Sequence, residues 1–282
     1  MNLKPIWAYF FEGDDNLDNL ARADIAIIGG TGVYDPELLS DIEQILLNTK
    51  YGCVAVTIGS YEGKKVAFIS RHGKGHTTPP HKINYRANIE AIYKLQAKKI
   101  YATAAVGSLR KELKPGDLVI LDQFIDFTKK RKYTFFDGEE GVAHVDLTDP
   151  YCLELRDKII SQCNKLKIPY HATGTYICTE GPRFETPAEI ALFANWGADV
   201  VGMTNVPEVI LAREKELCYA TIATVTNYGA GISETLLTHK EVSEVMSNNN
   251  KLLRDLLKAI IGNEDNERNC KCKYAAAELG KF

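Results

Sequence analysis

Several things are missing from this 282-residue sequence, and each absence removes a class of function. No run approaches the roughly 18 apolar residues that a membrane-crossing helix needs, so no membrane partner is expected. The opening MNLKPIWAYFFEGDDNLDNL carries acids where an export signal needs a basic start and an apolar run, which makes a cytoplasmic location the expectation. The net charge is −3 and the basic residues are scattered. Nucleic-acid binders concentrate positive charge against phosphates, so no such partner is expected either. The one dense basic block, KKRK at 129–132, reads as a solvated loop or strand edge.

Cofactor signatures are also missing. There is no Gly-Lys-Ser/Thr ending to mark a Walker loop, and GGTGVYDPE gives no GxGxxG. Seven cysteines occur without a repeating framework. Cys53, Cys152, Cys163, Cys178 and Cys218 sit among apolar neighbours and read as core residues or disulfide partners. Cys270 and Cys272 form a lone CxC, where two such pairs would be needed to suggest zinc. A disulfide between residues so close in sequence would be strained. No metal is expected.

What is present is an alternation of strand and helix signals. Strands are read at 23–30, 53–59, 64–70, 99–108, 117–126, 171–181, 198–205 and 218–233. Helices are read at 84–98, 151–167, 185–197, 207–217 and 239–263. Pro207 opens one helix and Gly197 closes another. The class is therefore α/β, a single domain with one mixed, largely parallel sheet flanked by helices. The organisation expected is an aromatic-rich N-terminal arm (1–23), a catalytic domain (24–262) and a polar C-terminal tail carrying the CxC (263–282).

In open α/β sheets, ligands gather at the carboxyl ends of the strands. Here those ends carry Gly29-Gly30-Thr31-Gly32, Arg71-His72-Gly73, Ala104-Ala105-Val106-Gly107-Ser108 and Met203-Thr204. Glycine-rich turns expose amides that form anion nests, and arginine offers a planar fork to phosphate oxygens. Four such ends together point to a phosphate site.

The blocks GGTGVYD, SRHGKGHTTPPHKINYRANI, VGSLRKELKPGDLVILDQFIDFT, EGPRFETPAE and GADVVGMTNVPEV resemble the trimeric purine nucleoside phosphorylase and 5'-methylthioadenosine phosphorylase family over about residues 24–260. The resemblance implies the nucleoside phosphorylase fold and a pentosyltransferase that needs no cofactor, with inorganic phosphate as co-substrate. It implies that Thr31, Arg71, His72, Ala105 (through its amide) and Thr204 bind phosphate, with Ala104 a weaker member because its methyl replaces a polar side chain common there. Met203 would lie under the ribose, Phe184 and Gly229 would line the substrate pocket, and His144 would reach a neighbouring subunit's site. A homo-oligomer, a trimer or a dimer of trimers, follows.

The purine is chosen by hydrogen-bond pattern. A 6-oxopurine has a donor at N1 and an acceptor at O6, and adenine reverses both. The Glu185 carboxylate only accepts, which suits N1–H, and the Asn227 amide can donate to O6 while accepting from a protonated N7. Methylthioadenosine-selective relatives resemble TDYD at the second place, where this chain has Asn227 and, at the second acid, Gly229. His239, in THKEV, resembles the histidine that meets a ribose 5'-hydroxyl. Asn227 and Glu185 are thus the catalytic candidates, and phosphorolysis of inosine and guanosine in purine salvage is the expected activity. The alternatives are a phosphorylase of methylthioadenosine or methylthioinosine and, from a different class, a non-catalytic purine-binding protein.

Overall fold

Apolar runs that end in glycine or in a polar pair build the centre of a sheet. In the computed structural model, residues 22–30, 39–73, 75, 77–138, 141–233, 239–265, 267–276 and 279–280 are described, with no side-chain description at 239–243 and 279–280. All but the last two residues of the expected N-terminal arm, and Thr31, lie outside them.

β1 (Ile25–Gly29) is buried along its whole length, as a strand covered on both faces must be. It lies parallel to β4 (Lys64–Ser70) and to β5 (Lys99–Ser108), with Gly29 opposite Ser70. β2 (Ser40–Thr49) and β3 (Gly52–Tyr61) extend the sheet antiparallel beyond β4. β11 (Cys218–Tyr228) runs parallel to β5 from Cys218 opposite Lys99 to Tyr228 opposite Ser108, with an irregularity between Val225 and Asn227. β6 (Leu118–Ile120) closes that side antiparallel to β11.

At its far end β5 takes another neighbour. β10 (Val200–Gly202) pairs antiparallel with Gly107 and Ser108, and parallel to β9 (Thr175–Thr179), which pairs in turn with β7 (Gln123–Phe127). The apolar run expected as one strand at 117–126 is therefore two, β6 and β7, on different parts of the sheet. A separate ribbon pairs β8 (Val142–Ala143) with β12 (Leu279–Gly280).

The helices cover the sheet as the periodicity predicts. α1 (Tyr85–Lys94) starts at Asn84, whose side chain accepts from the Ala87 amide. α2 (Leu153–Leu166) and α5 (His239–Gly262) pack on one face with Leu155, Ile159, Leu253, Leu256, Leu257, Ile260 and Ile261 fully buried. Each such side chain contributes about 1.5–3 kcal/mol of burial free energy, before the entropy of ordering it. α3 (Pro187–Asn195) carries a complete capping box between Thr186 and Glu189. In α4 (Asn205–Glu214) Val206 is extended, so the regular turns begin at Pro207.

The C-terminal segment read as a polar tail folds back onto this body. Glu264 is buried and accepts from Lys99 Nζ at 2.7 Å, from the Tyr101 hydroxyl and from Lys158.

Candidate active site

The parallel strands β1, β4, β5 and β11 all point their carboxyl ends the same way, so the polar residues that follow them share one rim. Arg71 follows β4 and is buried. Its Nε and Nη2 donate to the two Glu208 carboxylate oxygens at 2.8 and 2.7 Å, and Nη1 donates to the Thr103 carbonyl at 3.0 Å. The Tyr219 hydroxyl donates to the same Glu208 carboxylate at 2.7 Å. Three of the five guanidinium N–H groups are thereby used within the protein, and one remains on each terminal nitrogen. An ideal Cβ on Gly30 would stand 3.9 Å from Nη1, so Arg71 lies beside the turn that follows β1. The full fork expected from the sequence is thus reduced to two N–H groups, held rigidly by Glu208.

His72 is buried next to it, with Nδ1 2.9 Å from the Thr78 carbonyl. A carbonyl only accepts, so Nδ1 carries the proton. Donation to phosphate from Nε2 then requires the imidazolium form. Thr204 closes this edge: its amide and that of Asn205 donate to the Tyr176 hydroxyl at 3.0 and 3.4 Å. Gly202 is what allows this, because a Cβ there would meet the tyrosine oxygen at 2.4 Å. Along β5, Ala105 is exposed in an otherwise buried strand, whereas Ala104 turns its methyl into the core.

The opposite side of the rim is built from β11 and the loop after β9. Asn227 is opposite Gly107 and buried. Its Oδ1 accepts from Thr226 Oγ1 at 2.8 Å and its Nδ2 donates to the Tyr228 carbonyl at 2.9 Å. One amide N–H and one carbonyl lone pair are left over. Gly229 continues the edge, its amide donating to the Ser108 carbonyl at 2.7 Å.

Glu185 is partly buried, and Thr179 Oγ1 donates to its Oε1 at 2.7 Å. Burial pushes this carboxyl above its ordinary range, against the pull of the Thr179 hydrogen bond. Met203 sits where Gly181, at φ +65°, passes over it; a Cβ on that glycine would come within 2.6 Å of the sulfur. Phe184 is 39% exposed on the same loop.

Two residues that organise this rim carried no sequence signal of their role. One is Glu208. The other is Arg131, from the KKRK block read as a solvated edge. Arg131 is buried, and it donates to the Tyr85 hydroxyl at 3.1 Å, to the carbonyls of Thr179 and Glu180 at 3.0 and 2.9 Å, and to the Val206 carbonyl. It therefore binds the end of β9 to the start of α4.

Three expected residues are not placed in this rim. Thr31 lies outside the described residues. His239 opens α5, but its side chain lies outside them too. His144 is exposed just beyond β8.

Comparison with known proteins follows the same line. The family model described as "Phosphorylase superfamily" matches residues 24–262. The chain is 57% identical over 255 residues to the "Probable 6-oxopurine nucleoside phosphorylase" of Dictyoglomus turgidum, covering 90% of this chain and 97% of that protein. It is 55% identical over 257 residues to the "6-oxopurine nucleoside phosphorylase" of Pyrococcus furiosus, covering 89% and 97%. Among solved structures, a methylthioadenosine phosphorylase from an antarctic soil metagenomic library superimposes with a TM-score of 0.87 at 38% identity, covering 92% of this chain and 93% of that one. Family match, sequence identity and superposition agree, and the chain belongs to the phosphorylase superfamily.

Proposed function

We propose that this protein is a purine nucleoside phosphorylase, a pentosyltransferase that cleaves 6-oxopurine nucleosides such as inosine and guanosine with inorganic phosphate. The observation that carries the reading is the buried Asn227 amide at the rim, fixed by Thr226 and Tyr228 with one donor and one acceptor still to spare. That pair matches O6 and a protonated N7. Glu185 faces N1–H as an acceptor, and Gly229 leaves no second acid to receive a 6-amino group. The relatives that share 55–57% of their residues with the chain carry the matching name.

Cleavage of the glycosidic bond develops positive charge on the ribosyl group, as in glycoside hydrolysis. Phosphate held by Thr31, Arg71, His72, the Ala105 amide and Thr204 places negative charge against that cation. Arg71 and Thr204 are preorganised, since Glu208 and Tyr176 fix them before substrate arrives. Asn227 accepts from N7 as the base is protonated there, so the purine departs close to neutral. Met203 and Phe184 cover the sugar and base, and His239 meets the 5'-hydroxyl. No cofactor takes part in this scheme. The active form is a trimer or a dimer of trimers in which His144 enters a neighbour's site.

The test is phosphate-dependent base release from inosine, guanosine, adenosine, methylthioinosine and methylthioadenosine. Fastest release from inosine or guanosine supports the assignment. Fastest release from methylthioadenosine overturns both the Asn227 and the His239 roles. Base release that ignores phosphate overturns the reaction type.

A further inference from the structure

Far from the rim, at the other end of β11, folding assembles four cysteines that are scattered in sequence. Cys152 caps α2, Cys218 opens β11, and Cys270 and Cys272 flank and enter a short 3-10 turn (Lys271–Tyr274). Their four sulfur atoms all lie within 4.8 Å of one another. Cys152, Cys218 and Cys272 are buried against Leu155, Ile159 and their neighbours, and Cys270 is partly buried.

The contacts do not sort into two pairs. Cys218 Sγ is 3.2 Å from Cys270 Sγ and also meets the sulfurs of Cys152 and Cys272. Cys272 is in hydrogen-bond contact with Cys152, Cys218 and Cys270. Two disulfides would join the sulfurs as separate couples, whereas ligands of one ion surround a common centre. A tetrahedral ion at the usual zinc–sulfur distance of about 2.3 Å sets its four sulfurs about 3.8 Å apart, inside the observed spread. Charge is also provided for. The buried Arg213 donates from Nη1 to Cys272 Sγ at 3.1 Å, where it offsets part of the negative charge that four thiolates leave around a divalent cation.

We propose that Cys152, Cys218, Cys270 and Cys272 form a structural tetrathiolate site for a soft divalent ion, zinc by its ligand set, that clasps the C-terminal segment to α2 and β11. Binding releases the thiol protons and changes no oxidation state. The lone CxC acquires its second pair through the fold, from residues at least 52 positions away. The same segment continues into β12, which pairs with β8 directly before His144. The clasp therefore also fixes the strand ahead of that histidine.

The full chain, purified anaerobically without added reductant or chelator, is expected to hold about one zinc per chain. After metal removal, cobalt(II) should restore one equivalent with thiolate-to-cobalt charge-transfer bands and the visible ligand-field bands of a tetrahedral centre. Cys270→Ser should weaken cobalt binding by about tenfold or more, while Cys53→Ser, outside the cluster, leaves it unchanged. Two results overturn the proposal. One is a metal-free chain whose denatured form titrates fewer than its seven thiols, which means that the cysteines are joined as disulfides. The other is a chain whose seven thiols all titrate but which gives no cobalt bands.

Discussion

Arg71 and Glu208 meet side-on through two hydrogen bonds of 2.8 and 2.7 Å, with both side chains at most 1% exposed. The pair is a fixed ion pair rather than a free cation, and in the proposed scheme it supports phosphate. Removing one member of a buried pair leaves the other charge without a partner, a loss of about 3–5 kcal/mol. Glu208→Gln keeps the shape and removes the charge, so it is expected to lower unfolding stability by about 3 kcal/mol. It should also raise KM for phosphate more than KM for inosine. An unchanged phosphate KM in steady-state kinetics would refute the supporting role.

Arg131 is predicted to matter as much, from outside the substrate. Its guanidinium donates to the carbonyls of Thr179, Glu180 and Val206, and Arg131→Met leaves Thr179 and Val206 with only the weak Cys178 thiol donor among their side-chain partners. Unsatisfied buried groups cost about 1–3 kcal/mol each, so a fall in melting temperature is expected with a drop in kcat/KM for nucleoside. Arg131→Lys should recover little, because an ammonium cannot span the three acceptors. Full rescue by lysine would show that only charge is needed.

Asn227→Asp tests the base assignment. The carboxylate loses the donor to the Tyr228 carbonyl and sets two acceptors 2.9 Å apart, and it presents no N–H to O6. Inosine turnover should fall by roughly 100-fold, the scale on which a lost transition-state donor is felt. Adenosine turnover should fall less or rise. Equal losses on both nucleosides would mean that Asn227 supports the fold without reading the base.

The cap of α3 sets a pH dependence. Two bonds from Arg183, followed by the Thr186 amide, hold the Glu189 carboxyl at about 2, below the usual 4.5. A lowered pKa stabilises the folded state fully above pH 4.5 and loses that contribution as pH falls toward 2. The stability gap between the wild type and Glu189→Gln should therefore be largest near neutrality and close below pH 4.5. Denaturant melts at a series of pH values read it directly, and a gap independent of pH would contradict the ion-pair account.

Much of the centre of this fold was legible because its strands are short apolar runs cut by glycine or by polar pairs. The alternation that named the class is borne out by β1, β4, β5 and β11 and the helices between them. β2 escaped because SDIEQILLNT reads equally as a helix face, and seven of its ten residues are exposed, so no burial period marks it. The run at 117–126 read as one strand because its break, at Leu121 and Asp122, carries neither glycine nor proline.

Residue type singled out Arg71, His72, Thr204, Glu185 and Asn227 as candidates for the site, but not the buried residues around them. Glu208 follows a helix-opening proline, where an acid is ordinary on dipole grounds alone. Arg131 sits among three other basic residues that gave it the look of a surface. The cysteine cluster was hidden for a different reason, since nothing local to Cys152 or Cys218 speaks of Cys270.

The change of partner along β5 has one more consequence. Its first four residues lie against β1, and its last two lie against β10 running the other way. A sheet that forks in this manner must leave a crevice between the two branches, and Ala105 is the exposed residue just before the split. The crevice is thus a property of strand connectivity, which side-chain substitutions can reshape but not relocate. Loops on either branch can change to suit another purine or sugar while the hollow beside Ala105 stays where the topology put it.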